Sequence, residues 1–369
     1  MPNAAAHAGA ILTIDLDAVA ANWRLLRDRL GRAECAAVLK ADAYGLGLAP
    51  VARRLAREGC RSFFVAQAGE ALSLRALLPE ADIYVLNGLA HGAEADYAAH
   101  GLRPVLNTLD EIARWRVACR AAGAALPAVL NIDTGMARLG LAPDEVDALA
   151  NEPAGLEGIR VVYTMSHMAC AYARANPMNE SQRRLFDAAR SRLPPCSASF
   201  ANSPGIFLGP EYHYDLARPG AALFGLQPQS GEPNPMAQVV RLQGKILQLR
   251  RVDRGMTVGY GATHRFAEPR LLATVAVGYG DGYFRTLGNR GSGFIGDIRV
   301  PVVGRISMDL VTFDVTDAPG RETVPGATID IVGPGHDVDA LAAEAGTIGY
   351  EVLTALGSRY HRVYLGAGR

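Results

Sequence analysis

Short apolar segments recur at regular intervals through the first two thirds of the chain. They have the length of β-strands, and most lack the alternation of polar and apolar residues that marks a strand with one wet face. This pattern predicts the strands of a parallel sheet that is covered on both sides. The eight segments are AAVLKA, SFFVAQ, IYVLNG, RPVLN, AVLNIDTG, VVYTMSH, SASFANS and YDLARPG.

Segments with helical spacing separate these strands. In the first of them, apolar residues recur at steps of three and four, and Asp15 or Asp17 stands where a helix cap is expected. Further helices are predicted around 49–58, 69–78, 109–122 and 178–192. Strands that alternate with helices over about 230 residues predict a (β/α)8 barrel rather than an open sheet of five or six strands.

The pattern changes at GLQPQSGEPNPM (225–236), a segment rich in Pro, Gly and Ser that is typical of an interdomain linker. The downstream segments combine period-2 patches with glycine turns and one late helix near 338–356, which predicts a mostly antiparallel β domain. We therefore expect a barrel domain over 1–233 and a β domain over 234–369. An early strand at about 11–16 precedes the barrel pattern, and we expect it to pair with the second domain.

Composition narrows the class of protein. The 37 basic and 37 acidic residues among 369 argue against a general attraction to nucleic acid or to a membrane surface. The five cysteines are widely spaced without a C-x-x-C pair, so we expect neither a disulfide framework nor a structural metal site. We find no signal peptide and no membrane-spanning segment, and we expect a soluble, cytoplasmic protein.

Polar residues follow the predicted barrel strands, where the active sites of such barrels lie. They include one lysine and two arginines, so the predicted mouth is cationic and suits an anionic ligand. These residues are Lys40, Asp42, Tyr44, Asn87, Asn131, Asp133, Arg138, Ser166, His167, Asn202, Ser203, Arg218 and Gly220.

Two features of this mouth have both a structural and a chemical interpretation. Lys40 could extend to solvent or pair with Asp42, or it could be a desolvated amine with a lowered pKa that forms a Schiff base. The segments NSPG (202–205) and RPGAALFG (218–225) could be simple turns, or they could bind phosphate after the last two strands. Ser203 and the backbone N–H groups near Gly220 and Ala221 suit the second interpretation. His167 taken alone is more typical of a structural histidine.

The motifs of this chain resemble those of the alanine racemase family, in the family's order and over essentially the whole length. AVLKADAYGLG resembles the family's pyridoxal-phosphate (PLP) lysine motif, which related barrel-type PLP enzymes share. The motifs of the second domain, including Tyr260, are the specific part. Besides the lysine motif, the barrel motifs are NIDTGMARLG, SHMA, ANSPG and ARPGAALFG. The motifs of the second domain are VGYGATH, VGYGDGY, GRISMD and IGYEVL.

The resemblance implies a PLP-dependent enzyme that interconverts L- and D-alanine and supplies D-alanine for peptidoglycan in the bacterial cytoplasm. It implies a homodimer in which each active site combines one barrel with the partner's β domain. Lys40 would hold PLP and exchange the substrate's α-proton on the D side. Tyr260 would act on the L side from the other subunit.

The resemblance also implies roles for the surrounding residues. Arg218 would face the pyridine nitrogen of PLP, and His167 would orient Arg218 by a hydrogen bond. Arg138 and the backbone of Met308 would bind the substrate. The phosphate would be held by Tyr44, Ser203, Gly220, Ala221 and Tyr350. The opening to the site would be lined by Tyr279, Arg285 and Asp309.

The chain departs from the family's usual pattern at three positions. Leu46 stands between two glycines where a histidine is common, so a polar contact is missing. Asn131 stands where many members carry a carbamylated lysine, so we expect Asn131 or a bound anion such as chloride to position Arg138. His264 replaces a more usual aromatic residue near Tyr260.

Other functions remain open on the sequence alone. A broader racemase for serine and alanine would share these motifs. A barrel-type PLP decarboxylase would require acidic residues for a distal amine, and a metal-dependent aldolase would require a ligand cluster; we find neither. A non-catalytic PLP-binding protein would lack the second domain.

Overall fold

The computed structural model describes residues 4–367, which form a barrel and a second sheet. Strand β1 (Ala10–Asp15) belongs to the second sheet. The strands of the barrel are β2 (Glu34–Cys35), β3 (Ala37–Val38), β4 (Ser62–Val65), β5 (Asp82–Val85), β6 (Arg103–Leu106), β7 (Leu126–Asn131), β8 (Ile159–Met165), β9 (Ser197–Asn202) and β10 (Leu216–Arg218).

The barrel closes through its first strand, which is split into β2 and β3; the predicted segment AAVLKA contains β3, and β2 lies just before it. β2 pairs with β10, β3 pairs with β4, and all neighbouring strands of the barrel run parallel. The split pieces act as one strand, so the predicted eight-stranded barrel is confirmed. Apolar and aromatic side chains pack in the barrel. The rings of Phe64 and Tyr84, for example, stack with their centroids 4.4 Å apart.

Helices lie between the barrel strands close to the predicted positions. The Oδ1 atom of Asp15, not Asp17, caps α2 by accepting bonds from two backbone N–H groups at 2.9 and 3.0 Å. The helices of the first part are α1 (Ala4–His7), α2 (Leu16–Leu30), α3 (Lys40–Tyr44), α4 (Leu48–Arg57), α5 (Ala68–Leu77), α6 (Glu94–Ala99), α7 (Leu109–Ala122), α8 (Pro143–Asn151) and α9 (Met178–Arg190).

The second sheet is mostly antiparallel, as predicted, and β1 lies inside it between β11 and β19. Strand β1 therefore links the sheet to the start of the barrel. The strands are β11 (Val240–Val252), β12 (Thr257–Val258), β13 (His264–Arg265), β14 (Arg270–Val275), β15 (Ser292–Ile295), β16 (Ile298–Pro301), β17 (Val311–Asp314), β18 (Thr328–Val332) and β19 (His361–Leu365); β12 and β13 form a separate hairpin.

The prediction of a single late helix near 338–356 is wrong. Two helices, α10 (Val338–Ala345) and α11 (Gly349–Ala355), occupy this segment. Gly346 has a φ of 78°, a left-handed conformation that ends α10 and turns the chain before α11 starts. Among residues 4–367, no helix combines the length and the apolar character that a membrane span requires.

Candidate active site

A cavity of about 460 Å³ opens at the C-terminal ends of the barrel strands. It brings together fourteen of the residues predicted from the sequence, which are far apart along the chain. They are Lys40, Tyr44, Asn87, Asn131, Asp133, Arg138, Ser166, His167, Asn202, Ser203, Arg218, Gly220, Ala221 and Tyr350.

Lys40 begins a segment with an unusual backbone. The next four residues, Ala41 to Tyr44, have φ between 52° and 56°, so they form one turn of left-handed helix without a glycine. This conformation costs an L-residue about 1–2 kcal/mol, so the turn persists only because surrounding contacts hold it. Lys40, which begins the turn, is half-buried and lines the cavity. Burial and the charge of Arg138 lower the pKa of Lys40, and the charge of Glu70 opposes this shift.

The segment after the turn is held by the second domain. The Arg362 Nη1 group donates to the carbonyl of Gly45 at 2.7 Å, and the Tyr364 hydroxyl donates to the carbonyl of Leu46 at 3.0 Å. The Leu46 side chain is fully buried in the core. At this position, a packing contact thus replaces the polar contact expected of a histidine.

Arg218 is buried at the end of β10, and burial lowers its pKa to about 9. Its guanidinium donates to the Ser199 hydroxyl and, at 2.6 Å, to the carbonyl of Ser166. Within residues 4–367 it forms no hydrogen bond with His167, so the prediction that His167 orients Arg218 in this way is wrong. The barrel wall holds the guanidinium instead. Burial and the charge of Arg218 lower the pKa of His167 to about 3, which leaves the imidazole neutral.

Ser203 and Gly220 form a cradle of small groups between the last two barrel strands. The Ser203 Oγ atom accepts from the N–H groups of Gly220 at 2.9 Å and of Ala222 at 3.2 Å. Two tyrosine rings stand beside it, those of Tyr44 and Tyr350, with centroids 6.1 Å apart. Burial raises the pKa of both phenols, so they remain neutral hydrogen-bond donors. Such a cradle suits an anion.

Asn131 is not placed to brace Arg138. Its Nδ2 group donates to the Oδ1 atom of Asn107 at 2.8 Å, inside the barrel wall. Arg138 is exposed at the cavity and has no hydrogen-bond partner among the described residues. The direct contact predicted between Asn131 and Arg138 is therefore wrong, and the alternative of a bound anion stays a prediction.

Apart from Tyr350, the predicted residues of the second domain do not line this cavity. Tyr260 lies between two left-handed glycines in the β12–β13 hairpin and is 70% exposed. Met308 and Tyr279 are also exposed, on loops joined by a bond from the Gly280 N–H to the Met308 carbonyl at 2.8 Å. Asp309 follows Met308, and Arg285 lies in a short helical turn nearby along the chain.

The sequence analysis missed several residues that hold these groups. Ser199 holds Arg218, and a polar residue inside a buried strand could have indicated it. Arg359 donates to the carboxylates of Asp281 and Asp309, both at 2.6 Å, and so fastens the loops that carry Tyr279 and Met308. Nothing local in the sequence marks Arg359 for this role.

The fold and the cavity together define a two-domain barrel enzyme with an amine beside a cradle that suits an anion. The chain belongs to the alanine racemase family. Residues 14–228 match the family model "Alanine racemase, N-terminal domain", and residues 239–364 match "Alanine racemase, C-terminal domain".

Individual relatives resemble the chain over nearly its full length. An alanine racemase of Rhodospirillum rubrum is 54% identical over 98% of this chain and 97% of its own. A catabolic alanine racemase of Mesorhizobium japonicum is 48% identical over 99% of this chain and 96% of its own. Among solved structures, the alanine racemase of Bartonella henselae with covalently bound pyridoxal phosphate has a TM-score of 0.94. It is 40% identical and covers 97% of this chain and 100% of that chain.

Proposed function

We propose that this protein interconverts L- and D-alanine with PLP as its cofactor. The observation that carries the proposal is the meeting of Lys40, Arg218 and the Ser203–Gly220 cradle at one barrel mouth, in a chain of the alanine racemase family. The amine suits an aldehyde, and the cradle suits a phosphate.

The residues at the mouth fit PLP. A side chain on Gly220 would fill the cradle and collide with Tyr44, so the backbone is kept bare where a phosphate would approach. Tyr44, Ser203, Ala221 and Tyr350 would hold the phosphate, and Lys40 would hold the cofactor covalently. Arg218 would face the ring nitrogen; a guanidinium gives up a proton reluctantly, so the nitrogen stays unprotonated. When bound, PLP supplies the electron sink that makes the α-proton of alanine removable.

Racemisation needs a proton acceptor on each face of the substrate carbon. The Lys40 Nζ atom would exchange the proton on the D side, and the Tyr260 Oη atom would exchange it on the L side. The lowered pKa of Lys40 favours this role, because burial and Arg138 make the neutral form of the amine easier to reach. Arg138 would bind the substrate carboxylate, where its planar fork suits two oxygens, and the backbone of Met308 would help.

Tyr260 does not line the cavity of its own chain, so we propose a homodimer in which it reaches the partner's barrel. The exposure of Tyr260, Met308 and Tyr279 on neighbouring loops supports this because large apolar side chains at a surface mark interaction sites. In the dimer, Tyr279, Arg285 and Asp309 would line the opening to the site.

We further propose a cytoplasmic enzyme that supplies D-alanine for peptidoglycan, with a domain boundary at residues 233/234. The boundary is supported by the end of the barrel at Arg218 and the start of β11 at Val240.

The test is an assay of L-alanine to D-alanine conversion by the purified protein with PLP, beside its Tyr260→Phe variant. We expect racemisation by the wild-type protein and a loss of at least about a hundredfold in the variant. Wild-type protein that binds PLP but racemises nothing would overturn the proposal. Full activity of Tyr260→Phe would overturn only the two-base assignment. Equal turnover of L-serine would show the broader racemase.

A further inference from the structure

Glu70 joins the backbone segments that follow two neighbouring barrel strands. One carboxylate oxygen, Oε1, accepts from the N–H of Ala41 at 2.6 Å, directly after Lys40. The other, Oε2, accepts from the N–H groups of Ala66 at 2.8 Å and of Gln67 at 3.0 Å, after strand β4. The carboxylate thus connects the lysine-bearing turn to the start of α5.

The first of these bonds matters because of where it acts. Ala41 is the first left-handed residue of the turn, so its N–H group marks the point at which the backbone leaves its usual conformation. The turn has no glycine to relieve the strain, and contacts from outside must hold it. Glu70 provides such a contact from the barrel side.

Glu70 also acts on the Lys40 amine through its charge. Burial and Arg138 disfavour the ammonium form, whereas Glu70 favours it. His167, which also faces this amine, is neutral. The ionised groups that act on Lys40 are therefore one cation, Arg138, and one anion, Glu70, within the described residues.

We propose that Glu70 is a positioning residue for Lys40. The Glu70 carboxylate holds the left-handed turn and places a negative charge near the Lys40 amine. The inference rests on the proposed function, because it takes Lys40 as the PLP lysine. Glu70 touches neither substrate nor cofactor in this arrangement. It acts through the place and the protonation of the lysine.

The chain contains a matched control for an ordinary helix cap. Glu145 stands in α8 as Glu70 stands in α5. Its Oε2 atom accepts from the N–H of Ala142, three residues earlier, at 3.0 Å, and its Oε1 atom accepts from the N–H of Leu109 on a neighbouring helix at 3.2 Å. If Glu70 were only a cap, Glu70→Gln and Glu145→Gln would behave alike.

The experiment compares these two variants as full-length proteins. The melting temperature measures how much the loss of the helix cap destabilises each variant. The kcat and KM for alanine measure the effect on the racemase reaction. Covalent capture of added PLP by cofactor-free protein, followed by absorbance across a pH series, reports the Lys40 amine. Similar melting temperatures are expected because similar caps are weakened.

We expect the pH midpoint of PLP capture to fall in Glu70→Gln, because the lost negative charge lowers the pKa of Lys40. We also expect kcat to fall about tenfold or more, with a smaller change in KM, because the amine is displaced. In Glu145→Gln, the midpoint and kcat should match the wild-type values. Wild-type midpoint and kcat in Glu70→Gln would overturn the inference.

Glu70→Asp decides the matter if Glu70→Gln does not fold. It keeps the charge but is one methylene too short to span both segments, so we expect a reduced kcat. A wild-type kcat in Glu70→Asp would overturn the positioning role. PLP capture is measured without substrate, so it does not depend on racemase activity. Failure of the proposed racemase function would instead be seen as wild-type protein that captures PLP and racemises nothing.

Discussion

The hydroxyl group of Tyr44 occupies the space into which a side chain on Gly220 would project. The N–H of Gly220 meanwhile donates to Ser203, so the residue is held from two sides. This packing leaves the floor of the cavity as bare backbone flanked by hydroxyl groups, an arrangement that suits a phosphate.

Replacing Gly220 should therefore weaken cofactor binding more than folding. In Gly220→Ala, the added methyl group must displace the Tyr44 hydroxyl, and we expect the Kd for PLP to rise about tenfold or more. Equilibrium titration of cofactor-free protein measures it. Gly320→Ala is the control, since an added methyl group there meets no atom within 4 Å. Equal PLP affinity in both variants would contradict the assigned cradle.

A shared active site can be tested by mixing two inactive variants. Neither Lys40→Ala nor Tyr260→Phe has a complete site as a homodimer. After mixing and subunit exchange, each heterodimer has one site with both residues, so about a quarter of wild-type activity should return. Racemase activity before and after exchange measures this. If no activity returns although heterodimers form, Tyr260 does not act across the dimer.

The neutral His167 predicts a pH dependence of stability. Its pKa is lowered from 6.5 to about 3 by burial and by Arg218, so the unfolded chain binds a proton in this range that the folded chain does not. The unfolding free energy of cofactor-free protein should therefore fall as the pH drops from 6.5 towards 3. Urea titrations across this range should give a flatter profile for His167→Gln. His91→Gln, at an exposed position, serves as the control; a slope unchanged in His167→Gln would refute the assignment.

Arg138 has no hydrogen-bond partner within residues 4–367, and this predicts an anion effect. Since Asn131 bonds to Asn107, a bound chloride is the remaining means of orienting Arg138. Exchanging chloride for gluconate at constant ionic strength should raise the KM for alanine severalfold and change kcat less. Steady-state kinetics in the two salts measures the effect, and Arg138→Lys should lose it. Identical KM values for the wild-type protein in both salts would end the hypothesis.

Much of the fold could be predicted because its signals are local. Strand and helix periods reveal which faces are buried, and they placed the barrel strands and α4, α5, α7 and α9 to within a few residues. The break between α10 and α11 also had a local signal in Gly346, since a glycine often ends a helix. Most of the cavity residues were predicted because the ends of parallel strands meet at one mouth, whereas Tyr350 was predicted only from the family resemblance.

The sequence alone determined the barrel, the second domain and the residue types at the mouth, since these follow from periodicity and from motifs. Tertiary structure alone decided how those residues are held. The left-handed turn after Lys40 runs against the preference of its own residues, and Glu70, 29 residues away, helps to hold it. Arg218 bonds to the barrel wall rather than to His167, and Asn131 to Asn107 rather than to Arg138. Hydrogen-bond partners depend on distances across the closed barrel, and no local pattern encodes them.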